Sequence, residues 1–334
     1  MNRISHWIDG KIVESSSGRS SALFNPATGE QTGAVDMATV GEVDAAVDAA
    51  KAAFPEWRAT SLSKRAETMF RLRELVDANR KEIASLLTAE HGKVLTDSLG
   101  EVARGLENIE FACGIPQLIK GDYSEQAAAG IDVYSIRQPL GVVAGITPFN
   151  FPAMVPMWMF ANALACGNTF VLKPSEKDPS VSLLMAELLA QAGLPAGCFN
   201  VVQGDKVAVG RLLGHDDIAA VSFVGSTPIA KYIYETGTAN GKRVQALGGA
   251  KNHMLVLGDA DVDMAADAAV GAGYGSAGER CMAISVVLAS ESIADELVAK
   301  IAERIPAVKV GPGNESGNEM GPLITADHRD SVKG

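Results

Sequence analysis

No two of the four cysteines, Cys113, Cys166, Cys198 and Cys281, are close enough in sequence to make a C-x-x-C pair, which leaves a zinc cage or a disulfide framework nothing to build on. The N-terminal residues show no signal-peptide pattern, so reduced thiols in a cytoplasm are the expectation. Basic residues are the minority charge: 29 Lys and Arg against 40 Asp and Glu give a formal net charge of −11. With no block of like charges, a surface for nucleic acid or another polyanion is excluded and an ordinary soluble protein expected. Charge is missing altogether from Pro139 to Leu172, a run long enough to span a bilayer. Pro148, Pro152 and Pro156 with Asn150, Asn162 and Asn168 would leave polar groups unpaired in lipid, at roughly several kcal/mol each. A buried strand, a turn and a buried helix fit that run better. Internal repeats and low-complexity segments are absent as well.

What is present is apolar material for more than one core, since 334 residues at 47% apolar content exceed the size at which a single core stops growing. The first elements are legible from local chemistry. "HWIDGKIV" places Asp9-Gly10 between apolar residues, the pattern of a tight hairpin. Thr39 followed by Glu42 is a capping box ahead of an alanine-rich helix. Leu62, Ala66, Met69, Leu72 and Val76 keep helical spacing. So do Leu95, Leu99, Val102, Leu106 and Ile109, which end near Gly114 and Pro116. From residue 140 short β-rich runs, "GVVAGI", "NTFVLK", "FNVVQG" and "AVSFVG", alternate with helical stretches, which reads as a parallel sheet wound with helices. The alternation resumes with "HMLVLG" and "AISVVLAS" around a helix from Ala260 to Tyr274. The break between the two α/β units falls in "ALGGAKN".

Several residues in this frame could carry chemistry. In "FVGSTPIAKYI" a strand runs through Gly225, Ser226 and Thr227 into a helix with an early proline, a start whose free amides suit a pyrophosphate or simply an ordinary capped turn. Lys173 closes a strand and Glu176 follows it; they could hold ribose hydroxyls or be a solvated strand end and a helix opener. Asn150 could donate to an oxyanion or cap the helix after Pro152. Cys281, beside Arg280 in a loop of small residues, could be an activated thiolate or a small buried hydrophobe. Cys113, Cys166 and Cys198, each in apolar surroundings, read as hydrophobes.

Taken in order, "FN" at Asn150, "LKPSE" at Lys173, "FVGST" at Gly225, "LGG" at Gly248 and "GERC" at Cys281 resemble the aldehyde dehydrogenase superfamily over essentially the whole chain. The resemblance implies an α/β fold with a Rossmann-like NAD-binding domain, residues 1–120 and 140–247. It also implies an oligomerisation hairpin at 121–139 and the N-terminal part of an α/β catalytic domain at 248–334. It makes Cys281 the nucleophile on an aldehyde, with Asn150 and the Cys281 amide holding the oxyanion. NAD is the implied cofactor, held by Thr147, Phe149, Lys173, Glu176, Gly225, Ser226 and Leu247; Glu176 would repel a 2′-phosphate and favour NAD over NADP. No metal is implied.

Two departures sharpen this expectation. Most hydrolytic relatives carry a glutamate just before L-G-G, as the base that activates water; here the residue is Ala246. Arg104 and Arg280 fall at positions resembling those of the CoA-acylating methylmalonate-semialdehyde dehydrogenase branch, where arginines recognise a substrate carboxylate; "AKNH" after L-G-G looks like that branch too. Without a water-activating base, the acyl-enzyme waits for the thiolate of coenzyme A. The expected reaction is therefore NAD-dependent oxidation of methylmalonate or malonate semialdehyde, with decarboxylation and acyl transfer to CoA, giving propionyl-CoA or acetyl-CoA. A hydrolytic aldehyde dehydrogenase and an inactive NAD-binding fragment are the alternatives. Arg104 could instead pair with Glu101, Glu107 or Asn108, and Arg280 with a local carboxylate. Family members continue beyond the last residue here, so an exposed sheet edge and apolar surface are expected if the chain is a fragment. The partners expected are a small semialdehyde and further copies of the chain, as a dimer or tetramer, with neither nucleic acid nor membrane.

Overall fold

The computed structural model describes residues 2–334. Its frame is five parallel strands in the spatial order Arg243–Leu247, Ile218–Val224, Val142–Ile146, Thr169–Lys173 and Phe199–Val201. All residues of Val142–Ile146 and Thr169–Lys173 are buried, as central strands are when helices cover both faces of a sheet. One apolar layer, with Met69, Leu72, Ile83, Leu87, Ile109, Phe160 and Leu164, packs on one face. A second, with Val43, Val47, Leu212, Val221 and Ile233, packs on the other. The N-terminal hairpin extends the sheet antiparallel beyond Phe199–Val201, as His6–Ile8 and Lys11–Val13. Asp9 and Gly10 take the positive φ values, 52° and 75°, that its turn demands.

The chain builds this sheet outward from Val142–Ile146 in one direction, then returns to add Ile218–Val224 on its other side. That reversal is a topological switch point, and ligands of open parallel sheets bind at the carboxyl ends of the strands there. Those ends lead into Thr147–Asn150, Gly225–Ser226 and the segment after Lys173.

The charge-free run folds as strand Val142–Ile146, helix Met154–Ala165 and all but the last residue of strand Thr169–Lys173. Among the described residues no helix is long and apolar enough to cross a membrane. The capping box forms as read: Thr39 Oγ1 accepts from the Glu42 amide and the Glu42 carboxylate accepts from the Thr39 amide, opening helix Val40–Ala59. A three-stranded sheet of Asn2–Ile4, Gln31–Asp36 and Ser20–Phe24 was not legible from the sequence.

Beyond Leu247, Asn252–Val256 pairs in parallel with Ile284–Ala289. Helices Val262–Tyr274 and Glu291–Arg304 cover the pair around a small core of Val256, Ala265, Ala266, Ile293 and Leu297. Leu255, Leu257, Met282 and Leu288 remain exposed beside it. Tyr123–Ala128 and Ile131–Tyr134 form an antiparallel hairpin exposed along its whole length.

Candidate active site

The turn after the first central strand holds the first group of residues. The Thr147 amide donates to the Lys173 carbonyl at 3.1 Å, tying two strand ends together, while the buried Thr147 hydroxyl has no partner. Phe149 lies under the Lys177 ammonium, 4.4 Å from ring centroid to Nζ, with the His328 ring edge-on at 5.4 Å. Lys173 is buried and its Nζ is 3.2 Å from Glu176 Oε2. Burial by itself would raise the Glu176 carboxyl, but the Lys173 charge, a hydrogen bond from the Glu176 backbone amide and the Lys173 hydrogen bond together outweigh this and hold it below the usual range. Lys173 is thus not the solvated strand end that its position in sequence allowed.

Gly225 and Ser226 sit one strand away. The Gly225 amide donates to the Leu247 carbonyl at 3.1 Å, and a Cβ on Gly225 would stand 2.4 Å from the Phe223 ring, so the bare backbone is required. Ser226 caps helix Thr227–Ala239 by position only: its extended backbone starts the helix, but its exposed side chain makes no bond to it. The first-turn amides therefore stay open to an anion. Leu247 is exposed where Arg243–Leu247 ends.

Cys281 is an exposed, free thiol. Ser276, Ala277 and Gly278 all have positive φ, 53°, 55° and 77°, a run that is costly for the two non-glycine residues. It lifts the chain out of the preceding helix before Glu279-Arg280-Cys281. Asn252 holds the far side, its Nδ2 donating to the carbonyls of Cys281 at 2.9 Å and Ala283 at 3.0 Å. The other three cysteines behave as read. Cys113 and Cys198 are buried and Cys166 half-buried, and burial raises all three thiols, that of Cys198 to about 12.

Asn150 is half-buried and its side-chain amide has no partner among the described residues. It does not cap the following helix. The Glu101 carboxylate does so, Oε1 accepting the amides of Ala153 at 2.8 Å and Met154 at 3.0 Å. Glu101 is consequently buried and is not a partner of Arg104.

Arg104 is exposed and makes a two-pronged ion pair with Glu107, both contacts 2.9 Å, while its carbonyl accepts from Asn108. Arg280 turns to Asp97 at 2.7 Å, passing so close over Gly275 that a Cβ there would lie 2.4 Å from Nη1. Asp97 and Arg104 both belong to helix Leu95–Cys113, seven residues or about 10 Å of rise apart. A cleft of about 500 Å³ contains Arg280, Asp97, Tyr274 and Arg304. Another cleft, about 640 Å³, lies against the sheet and is lined by Asn108, Trp158, Asn162, Gln245 and Leu247; neither Asn150 nor Cys281 lines it.

Sequence reasoning missed one cluster beside these residues. Glu279, two positions before the cysteine, is buried with its Oε1 3.2 Å from His328 Nε2 and its Oε2 3.7 Å from His91 Nε2. Burial pushes its carboxyl up to about 7, against the pull of the Ile324 amide and the Lys177 and Lys93 charges. The signal available was a glutamate sharing a stretch of small residues with Cys281.

A parallel sheet with this switch point, strand ends of this composition and a projecting cysteine define an α/β enzyme fold of the aldehyde dehydrogenase type. Residues 12–334 match the aldehyde dehydrogenase family, and the chain belongs to it. It is 54% identical over 335 aligned positions to a malonate-semialdehyde dehydrogenase of Pseudomonas aeruginosa, covering all of this chain and 67% of that protein. A Sinorhizobium meliloti protein assigned as a methylmalonate-semialdehyde dehydrogenase and solved in complex with NAD superposes with a TM-score of 0.98 at 54% identity, over 100% of this chain and 68% of that one. The methylmalonate-semialdehyde dehydrogenase of Oceanimonas doudoroffii gives 0.97 at 54% identity, over 99% and 68%. The chain thus spans about two thirds of the length of these relatives.

Proposed function

We propose that this protein is an NAD-dependent, CoA-acylating dehydrogenase of malonate or methylmalonate semialdehyde. The observation that carries the acylating reading is Ala246. It lies half-buried in strand Arg243–Leu247, packed against apolar neighbours, where a methyl group can take no proton from water.

The residues fit NAD. The orphaned Thr147 hydroxyl, the open first turn of Thr227–Ala239 and the Lys173–Glu176 pair lie at the carboxyl ends of adjacent strands. The open turn suits the pyrophosphate and the pair a ribose, with Phe149, Gly225 and Leu247 bordering them. When bound, NAD supplies the hydride acceptor of the oxidation.

The chain's own residues do the rest. The Cys281 thiolate adds to the aldehyde carbon, and the new oxyanion takes hydrogen bonds from the Asn150 side-chain amide and the Cys281 backbone amide, donors worth about 10²- to 10³-fold in rate each. After oxidation Cys281 carries the acyl group as a thioester. Arg280, and Arg104 if it leaves Glu107, hold the substrate carboxylate by charge-assisted bonds; that carboxylate departs as CO₂, its bonding electrons passing to the α-carbon, which takes up a proton. With no base at position 246, the thiolate of CoA attacks the carbonyl and Cys281 leaves as thiolate. The products are NADH, CO₂ and acetyl-CoA or propionyl-CoA. The exposed hairpin Tyr123–Tyr134 is the surface we assign to self-association.

Intact-protein mass spectrometry tests this reading. Incubation with NAD and malonate semialdehyde without CoA should leave an acyl adduct on Cys281, which CoA then removes as an acyl-CoA. An adduct that water clears at the same rate as CoA, or one on another cysteine, contradicts it.

A further inference from the structure

Lys93 is a lysine in the interior, only 2% exposed. Gly92 puts it there: a φ of 92° ends helix Arg80–His91 and turns the chain inward. An ammonium so placed is strongly disfavoured unless paired, and Lys93 is paired twice. Its Nζ donates to Glu101 Oε2 at 2.7 Å and to the Asn150 carbonyl at 2.7 Å, and it stands 4.7 Å from the centroid of the Phe151 ring. The other Glu101 oxygen accepts the amides of Ala153 and Met154.

Each polar contact of this ion pair therefore ends on the same few residues: the carbonyl of Asn150, the ring of Phe151, and the amides of Ala153 and Met154. A core seeking only stability does not need such a pair, because apolar side chains of similar volume serve as well or better. What the pair adds is direction. Fixing the Asn150 carbonyl and the helix start on either side of Phe151 fixes the peptide plane after Asn150 and the place of its Cα. The directions open to the side-chain amide are narrowed accordingly.

We propose that Lys93, locked by Glu101, is the positioning residue of the Asn150 oxyanion donor. This rests on the reading of Asn150 given above. Lys93 touches no reacting atom; it aims the residue that does, and a misplacement of about 1 Å in such a donor can cost about 100-fold in rate.

The test compares Lys93→Met, Asn150→Ala and the double variant in the full protein, by amide hydrogen exchange and by the first-turnover burst of NADH with malonate semialdehyde. Exchange across residues 149–154 should quicken at least tenfold in Lys93→Met while Thr169–Lys173 stays protected, and NAD affinity should remain within about twofold. The burst should slow by about 10- to 100-fold. The double variant should be no slower than Asn150→Ala alone, because a donor already removed cannot be misaimed. Unchanged exchange in 149–154, or losses that multiply in the double variant, overturns the proposal. A normal burst in Asn150→Ala would instead sink the oxyanion reading, and the exchange result would still decide whether Lys93 sets the turn. Should the unpaired Glu101 charge prevent Lys93→Met from folding, Lys93→Met/Glu101→Gln removes that charge and is judged by the same criteria against Glu101→Gln alone, because Glu101 itself accepts the Ala153 and Met154 amides.

Discussion

Arg280 and Asp97 form an ion pair 2.7 Å long in which both side chains are about three-quarters buried, at 21% and 25% exposure. In the proposed mechanism a substrate carboxylate must therefore compete with Asp97 for the arginine beside the cysteine. Arg280→Met should raise KM for malonate semialdehyde by about 10- to 100-fold, the worth of a charge-assisted hydrogen bond of about 1.5–3 kcal/mol, and leave KM for propanal nearly unchanged. Asp97→Asn should lower the ratio of the two KM values. Equal effects on charged and neutral aldehydes would remove Arg280 from the substrate site.

Ala246→Glu places a carboxylate at the position where the proposed mechanism has no base. General base catalysis contributes about 10²- to 10⁴-fold, so NADH formation without CoA should rise at least tenfold and free acid should replace part of the acyl-CoA. A variant that folds and binds NAD yet stays wholly CoA-dependent would show that something other than the missing carboxylate blocks water.

Glu279 links stability to pH. Burial raises its carboxyl from an ordinary 4.5 to about 7, so the unfolded chain gives up this proton first. The stability attached to the protonated form is complete below 4.5 and is lost as pH rises through 7. The loss amounts to about 1–3 kcal/mol at about 1.4 kcal/mol per unit of pKa. Urea denaturation at pH 5 and pH 8 should show that the difference between Glu279→Gln and the parent protein moves by this amount in favour of the variant at the higher pH.

Glu42 behaves in the opposite sense. Burial would raise it, but the amides of Ser16 and Thr39 and the hydroxyls of Ser15 and Ser16 win and hold it at about 2. Its contribution is present above its ordinary 4.5 and is lost as pH falls towards 2. With the carboxylate 13% exposed, Glu42→Gln should cost about 2–3 kcal/mol at pH 7 and much less at pH 3. Thr39→Ala, which removes the other half of the capping box, should cost about 1 kcal/mol at either pH.

These effects differ in how far the sequence announces them. The Thr39–Glu42 box, the Asp9-Gly10 turn and the alternation of strand and helix from Val142 to Leu247 follow from short-range rules of spacing and capping, and they form as expected. Cys281, Asn150, Lys173 and Gly225 could be singled out because they end strands or interrupt small-residue loops. Lys93 and Glu101 could not: one reads as a charge after His-Gly, the other as a point on an amphipathic helix, and only tertiary packing brings them to Asn150, 57 positions along the chain from Lys93. Glu101 shows the cost of reading a helix locally. Its spacing suits a pair with Arg104, yet helix Leu95–Cys113 turns it inward to the start of Met154–Ala165. The Glu279–His91–His328 cluster was hidden for the same reason.

The CoA-acylating mechanism is tested most directly by following NADH with malonate semialdehyde and NAD, with and without CoA, and identifying the product by mass. Steady turnover that requires CoA, yields acetyl-CoA and CO₂, and vanishes in Cys281→Ala is the expected result. Steady turnover without CoA that releases only free acid would contradict it.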